Sequence, residues 1–501
     1  MRHVFTLLLV VFSFVICASQ NIHNYPPQSR GKVEEKLRDH VSFLTSKKLL
    51  GRSTLSGHDT LAAGYIDSLF KSYKLEPYTL VPKTSYHQPV GIISHKPDTR
   101  YVSYRGINYQ YFNDFICLGP DPVANKEYEI VFGGFGTEKE IDSLNLDGKA
   151  LFFLTNNLRV GAMKINEMVT SKGCILVLAA NYSNTTQFEL ISKQLSNDHK
   201  NIRYSILGSK NMGASRFFAK FGKPIPQILL SDGLAMHFLG ESPQKVAAKI
   251  ENGETVKPFA PFFKLGSQFN YKTDTIKTFN VVGFIPAKKP TQQSIVLSAH
   301  FDHLMADEQN WYPGADDNAS GVAVLLEVAK TLSEMLTGEM RPCRNIVFAA
   351  FTGEEIGLLG SEGYTQQPIF SIDSTVVVIN LDMVGRESKK KPSERILFID
   401  GKEEYNNFID ILNLYNVKGE QHIKPNSLDD ATLFSISDHT SFLQKSIPAF
   451  LINTGIHNDY HKPTDTFEKL NYANMASIYE LLLKTVYHLA TQPDPWQMPE
   501  E

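Results

Sequence analysis

Between residues 294 and 321 the chain reads SIVLSAHFDHLMADEQNWYPGADDNASG. An apolar run, 295–297, opens directly into His300, Asp302 and His303, and the following loop ends in Asp316, Asp317 and Asn318. Neutral imidazole nitrogen and carboxylate oxygen are donors that zinc takes, and catalytic zinc keeps a position open for water. One histidine or one aspartate pair would pass for a core residue or a solvated loop; the combination at the end of a buried run points to chemistry. The arrangement recurs. After 346–351 come Thr352, Gly353, Glu354 and Glu355; after 376–380 come Leu381 and Asp382; a loop carries Ser437, Asp438 and His439; and Asn458, Asp459, Tyr460 and His461 follow the run 448–453.

Two histidines and several carboxylates are enough for two metal ions. In such a pair, ~3.5–4 Å apart, one ion polarises a carbonyl while both generate the attacking hydroxide. A neighbouring carboxylate then moves the proton from water to the leaving amine. The adjacent Glu354 and Glu355 suit this division, because successive residues at a strand end point different ways. One can ligate while the other faces the water.

Elements must bring these groups together. From about 256 the sequence alternates strand and helix patterns: strands at 279–285, 295–299, 346–351, 375–380, 396–399 and 448–453, and helices at 320–336, 405–414 and 472–490. Near-continuous apolar runs are what parallel strands covered on both faces show. This predicts an α/β fold with a mixed, largely parallel central sheet flanked by helices. In such sheets ligands bind beyond the carboxyl ends of the strands, where each of these motifs falls.

Upstream, residues 20–77 read as two amphipathic helices, with Val33, Leu37, Val41 and Leu44 on one face and Ala62, Ile66, Leu69 and Tyr73 on another. Residues 78–255 change to short β-type runs and a helix at 160–171, a second, smaller α/β or β-rich domain without ligand-type clusters. Asn181-Tyr-Ser and Asn184-Thr-Thr fit the glycosylation triplet of a eukaryotic secretory pathway. The catalytic domain then runs 256–492, and 493–501 is a Pro-rich tail. At 501 residues two domains are expected.

With 50 basic and 53 acidic residues the net charge is −3, and no polybasic run is present to neutralise a row of phosphates, which excludes nucleic acid as an expected partner. Arg2 ahead of an apolar run at 4–18 reads as a secretory signal peptide over 1–19, too short for the ~20 apolar residues of a membrane span. Secretion, to the periplasm or the exterior, is the expected address. Its removal leaves Cys117, Cys174 and Cys343, an odd number, so at most one disulfide forms and zinc must be sought among His, Asp and Glu.

The motifs His300-Phe-Asp302, Gly314-Ala-Asp316-Asp317-Asn-Ala-Ser-Gly, Gly353-Glu354-Glu355-Ile-Gly-Leu-Leu-Gly-Ser, Asn380-Leu-Asp382-Met, Ser437-Asp-His-Thr-Ser-Phe and Tyr460-His461-Lys-Pro-Thr-Asp-Thr resemble those of the co-catalytic zinc exopeptidases, which include aminopeptidases Y and S and glutamate carboxypeptidase. The resemblance runs from about 279 to the end, in the family's order. It implies peptide substrates and two Zn2+ per chain. His300, Asp316 and Asp382 would hold one ion, and Asp316, Glu355 and His461 the other, with Asp316 as the bridge. Glu354 resembles the general base, Tyr460 the group that steadies the oxyanion, and Asp302 the carboxylate that orients the His300 ring. A cis peptide after the bridging aspartate, between Asp316 and Asp317, is also implied. The middle region is similar to a protease-associated domain, and Leu49-Leu-Gly-Arg-Ser-Thr resembles the segment that precedes it in such enzymes.

Beside that pattern His303 is expected as a neighbour of the site rather than a ligand, His439 and Asp438 as braces, and His457 and Asp459 as part of the substrate entrance. Aminopeptidase activity is expected over carboxypeptidase, because Arg386 is the sole arginine in the site loops. A metal-free binding homologue or a single-zinc cyclase is the alternative use of the fold.

Overall fold

The computed structural model describes residues 29–78, 85–184, 186–197, 202–208, 225–256, 264–387, 395–401, 407–416, 419–425 and 436–496. The expected signal segment 1–19 lies outside them, as does 497–501 of the tail. The chain forms two compact units. One is built from residues up to Gly91 and from Lys277 onward, the other from Ile92–Ile276. These limits differ from the expected 78–255 because the strands His87–Tyr104 and Leu265–Ile285 run through both junctions, so no break in β pattern marks them.

In the first unit the described residues begin with α1 (Arg30–Leu44) and α2 (Asp59–Ser72). Val33, Leu37, Val41 and Leu44 are buried as their spacing requires; on α2 the buried face turns toward Ala62, Ala63, Ile66 and Phe70, and Leu69 and Tyr73 pack at its margin. Then come β1 (Leu265–Ile285), β2 (Ser294–His300), α3 (Gly321–Met335), β3 (Asn345–Phe351), α4 (Leu359–Gln366), β4 (Thr375–Leu381), β5 (Ile396–Asp400), α5 (Asn407–Tyr415), β6 (His422–Pro425), α6 (His439–Leu443), β7 (Ala449–Asn453) and α7 (Tyr472–Thr491).

The strand order is β6-β5-β7-β4-β2-β3-β1. The four central strands β7, β4, β2 and β3 are mutually parallel, while β1 and β5 join antiparallel. Every residue of β2, β3 and β7 is buried, which is why their sequences lack alternation. Helix α3 is buried without a break from Gly321 to Ala329, because α1 and α7 pack against it in addition to the sheet. That burial includes Glu327, whose Oε1 lies 2.9 Å from His40 Nε2.

The second unit contains a five-stranded sheet in the order Phe115–Leu118, Gln227–Leu230, Leu176–Asn181, Ala150–Thr155 and Ile130–Phe132. Its first pair is antiparallel and the rest are parallel, with the helix Leu158–Thr170 in the crossover from Ala150–Thr155 to Leu176–Asn181, so of the two expected alternatives it is the α/β one. Asn181 is buried and its Nδ2 donates to Asn156 O, whereas Asn184 is exposed. Cys117, Cys174 and Cys343 are all free thiols.

Candidate metal centre

Parallel neighbours in register end together. His300 pairs with Phe351 across β2 and β3, and Leu381 with Ile452 across β4 and β7. The residues just beyond these strand ends therefore converge on one edge: His300 and His303 from β2, Glu354 and Glu355 from β3, Asp382 from β4, and Tyr460 and His461 from the loop after β7. The loop before α3 adds Asp317.

Asp317 occupies the centre. Its Oδ1 lies 3.3 Å from His300 Nε2, which is also 3.4 Å from Asp382 Oδ1. Its Oδ2 lies 3.1 Å from His461 Nε2, which is also 3.3 Å from Glu355 Oε2. Donor atoms ~2.0–2.1 Å from a tetrahedral zinc stand ~3.3 Å apart, so all four separations suit ligands that share an ion. The set of imidazole nitrogens and carboxylate oxygens, with one carboxylate common to both groups, fits a pair of zinc ions.

The electrostatics separate neighbouring carboxylates. Burial opposes ionisation of Glu355, yet His461 and His303 outweigh it and hold its carboxyl at about 2. Glu354 is pushed well above the usual carboxylate range by burial and by the charges of Glu355 and Asp382. Burial also opposes charge on Asp317 and is overcome by His303, His300 and His461, which hold its carboxyl well below the ordinary value. His461 rises to about 11 against the opposing effect of burial, because Glu355 and Asp317 flank it. Two adjacent glutamates with opposite proton affinities mark different tasks.

Asp316, which the sequence reading put at the bridge, points elsewhere. Its Oδ1 accepts from Gly385 N at 2.6 Å and its Oδ2 lies 3.2 Å from His457 Nε2. The cis peptide likewise falls one residue later than expected, between Asp317 and Asn318. Turn geometry selects between the two aspartates. Gly314 sits at φ +55, and a side chain there would strike Asp317 O and the His303 ring. Asp465 Oδ2 then accepts from the amides of Asp316 at 2.9 Å and Asp317 at 3.3 Å, and Asn318 Oδ1 accepts from Gly321 N at 3.0 Å.

The remaining expected residues lie around this centre. His303 Nδ1 is 2.6 Å from Glu355 Oε1 but 3.7 Å from Asp317 Oδ2, so it makes a hydrogen bond to Glu355 rather than sharing the ligand spacing. Asp302 is buried, and its carboxylate accepts from Glu354 N at 3.1 Å and from Thr54 Oγ1 at 3.0 Å; His300 Nδ1 meets the Asp302 backbone carbonyl at 3.1 Å, with the carboxylate at 3.8 Å. Burial raises that carboxyl to about 7. Tyr460 stacks on His461 with ring centroids 3.8 Å apart, and the two line a small cavity with Asp317, Glu354, Asp382 and Met383. Met383 and His461, each adjoining a site group, hold left-handed backbone at φ 56, a conformation costing a non-glycine residue of order 1–3 kcal/mol. Asp438 and His439 are buried, with His439 Nε2 3.6 Å from Asp400 Oδ2.

Sequence reasoning missed Thr54 and Arg52. Thr54 Oγ1 also lies 2.9 Å from Thr352 Oγ1 and accepts from Gly353 N at 3.1 Å, so a residue on the opening segment supports the loop of the paired glutamates. The Leu49-Leu-Gly-Arg-Ser-Thr motif was the available signal, although nothing local in it names a partner.

Residues 280–486 match the family model described as Peptidase family M28. Over 237 residues the chain is 26% identical to a probable leucine aminopeptidase of Arthroderma otae, a match covering 46% of this chain and 62% of that protein. Aminopeptidase YwaD of Bacillus subtilis is 29% identical over 216 residues, 42% of this chain and 44% of the relative. The matches thus span less than two thirds of either relative. In fold the chain is similar to an aminopeptidase from Aneurinibacillus sp. strain AM-1, with a TM-score of 0.51 at 21% identity over 93% of this chain and 96% of that one. Residues 280–486, which carry all of the strand-end groups, thus match the model of peptidase family M28, and this match supports the resemblance to the co-catalytic zinc exopeptidases read from the motifs.

Proposed function

We propose that the chain is a secreted aminopeptidase that removes the N-terminal residue of peptides with the help of two zinc ions. The observation that carries this reading is the Asp317 carboxylate, whose two oxygens face two separate donor sets. His300, Asp317 and Asp382 would hold one ion; Asp317, Glu355 and His461 would hold the other. When bound, the ions supply Lewis-acid polarisation of the scissile carbonyl and a water acidic enough to ionise near neutral pH. Glu354 takes the proton of the attacking water and passes it to the leaving amine, a task suited to its raised proton affinity. Tyr460 offers its hydroxyl to the carbonyl oxygen as that oxygen gains charge. Asp302, through the Glu354 amide, keeps the base in register.

Polarity follows from charge. A carboxypeptidase needs a cation for the terminal carboxylate, most often arginine. Arg386 donates to Asp459 at 3.0 Å, and Lys469 donates to the same carboxylate at 2.9 Å, so this arginine is engaged within its own loops. Secretion rests on the apolar run 4–18 after Arg2. Among the described residues no helix is long and apolar enough to cross a membrane. The test offers one peptide with a free N-terminus and amidated C-terminus, and another acetylated at the N-terminus with a free C-terminus. Release of residues from the first alone is expected; release from the second alone would place the chain among carboxypeptidases.

A further inference from the structure

Arg52 takes no part in the chemistry above, yet it is fully excluded from solvent. Burying a guanidinium is costly unless its hydrogens are satisfied. Its Nε finds no acceptor among the described residues, but both terminal nitrogens meet carbonyl oxygens: Nη1 donates to Leu44 O at 3.1 Å and Pro313 O at 2.5 Å, and Nη2 donates to Gly314 O at 2.7 Å and Asp317 O at 3.3 Å. Three of these four acceptors belong to the loop that delivers Asp317. Burial disfavours its charge, and the carboxylates of Asp317, Asp302, Asp465 and Glu355 favour it, so a buried positive charge offsets a crowded acidic centre.

The backbone around Arg52 is strained in its service. Leu50, Gly51 and Arg52 take φ values of 43, 81 and 50, three successive left-handed residues of which only glycine adopts that region without steric cost. Gly51 is pressed against the same loop: a Cβ there would collide with Leu304 O and stand 3.0 Å from Tyr312 O. Strain of this kind persists only where surrounding contacts over-determine it. The contacts that do so are those between this segment and residues 304–317.

We propose that Arg52 is a positioning residue for the metal centre: its planar fork sets the peptide groups of residues 313–317 so that both oxygens of Asp317 face their donor sets. The inference rests on Asp317 being the ligand shared by two ions. A lysine keeps the charge but offers one compact ammonium, which lacks the fork that reaches several divergent carbonyls.

Metal-free full-length protein, wild type and Arg52→Lys, is titrated with Co2+ while the visible absorption of the bound ion and the stoichiometry are followed. We expect Arg52→Lys to keep the wild-type circular dichroism spectrum, to bind cobalt at least about tenfold more weakly at both positions, and to show a shifted visible band. In Arg52→Ala, methylguanidinium is expected to restore cobalt affinity in part, and ethylamine is not. A folded Arg52→Lys protein with wild-type cobalt affinity and spectrum overturns the proposal. So does an Arg52→Ala protein whose fold, but not cobalt binding, is recovered with methylguanidinium. Wild-type protein that takes up no cobalt overturns the two-metal reading itself, an outcome that the parallel titration separates from a defect of the variants.

Discussion

The carboxylate of Asp317 stands between two histidines that come from opposite ends of the catalytic sequence, with Oδ1 3.3 Å from His300 Nε2 and Oδ2 3.1 Å from His461 Nε2. Asp316, one residue earlier, faces His457 and the Gly385 amide instead. Asp317→Asn is therefore expected to strip the chain of nearly all bound zinc, because one carboxylate serves both positions. Asp316→Asn should retain most of the metal and lose stability, since its partners are structural. Elemental analysis of the two purified variants decides the matter, and equal zinc loss in both would remove Asp317 from its central place.

Glu354 and Glu355 are neighbours with opposite proton affinities. Glu354→Gln should keep about two zinc ions and the fold while kcat falls about a hundred- to ten-thousandfold, the range that positioned proton transfer supplies. Glu355→Gln should instead lose the ion held with His461. Paired kinetics and metal analysis check both, and near-native turnover in Glu354→Gln would discard it as the general base.

Tyr460 has its place beside His461 and the cavity that Glu354 lines. Tyr460→Phe keeps the ring stack and removes only the hydroxyl. We expect kcat to drop by roughly 10²- to 10³-fold with little change in KM, as when one oxyanion donor is lost. A change confined to KM would assign the hydroxyl to substrate binding.

Metal removal should destabilise the protein, because Asp317, Glu354, Glu355 and Asp382 are crowded together with little solvent. A ligand that binds only the native state at a thousandfold excess over its Kd stabilises it by about 4 kcal/mol. Thermal unfolding with and without chelator should show a lower Tm for the stripped protein, restored by added zinc. An unchanged Tm would count against resident metal.

Away from the site, His40 and Glu327 form a buried pair 2.9 Å apart that joins α1 to α3. His40→Ala leaves the Glu327 carboxylate in the core without that partner, which is expected to cost about 3–5 kcal/mol. Urea unfolding measures it; a loss below 1 kcal/mol would mean that water or rearrangement replaces the imidazole.

What the sequence determined by itself was the central strands and the residue types at their ends. Runs such as 346–351 and 375–380 are local, and a strand covered on both faces must be apolar along its length, so β3 and β4 and the acidic residues that follow them could be read directly. His300, Glu354, Glu355, Asp382, Tyr460 and His461 follow from that pattern and from the family resemblance. Tertiary structure alone decided which of two adjacent aspartates faces the centre. Asp316 and Asp317 are chemically identical, and the choice depends on the turn at 314–318, where Gly314 passes too close to Asp317 O and His303 to carry a side chain. It also decided the partners of Arg52, whose nearest site carbonyl is 261 positions along the chain. No spacing rule reaches that far, because a buried guanidinium is satisfied by whichever carbonyls the folded chain brings to it, and a carbonyl carries no mark in the sequence.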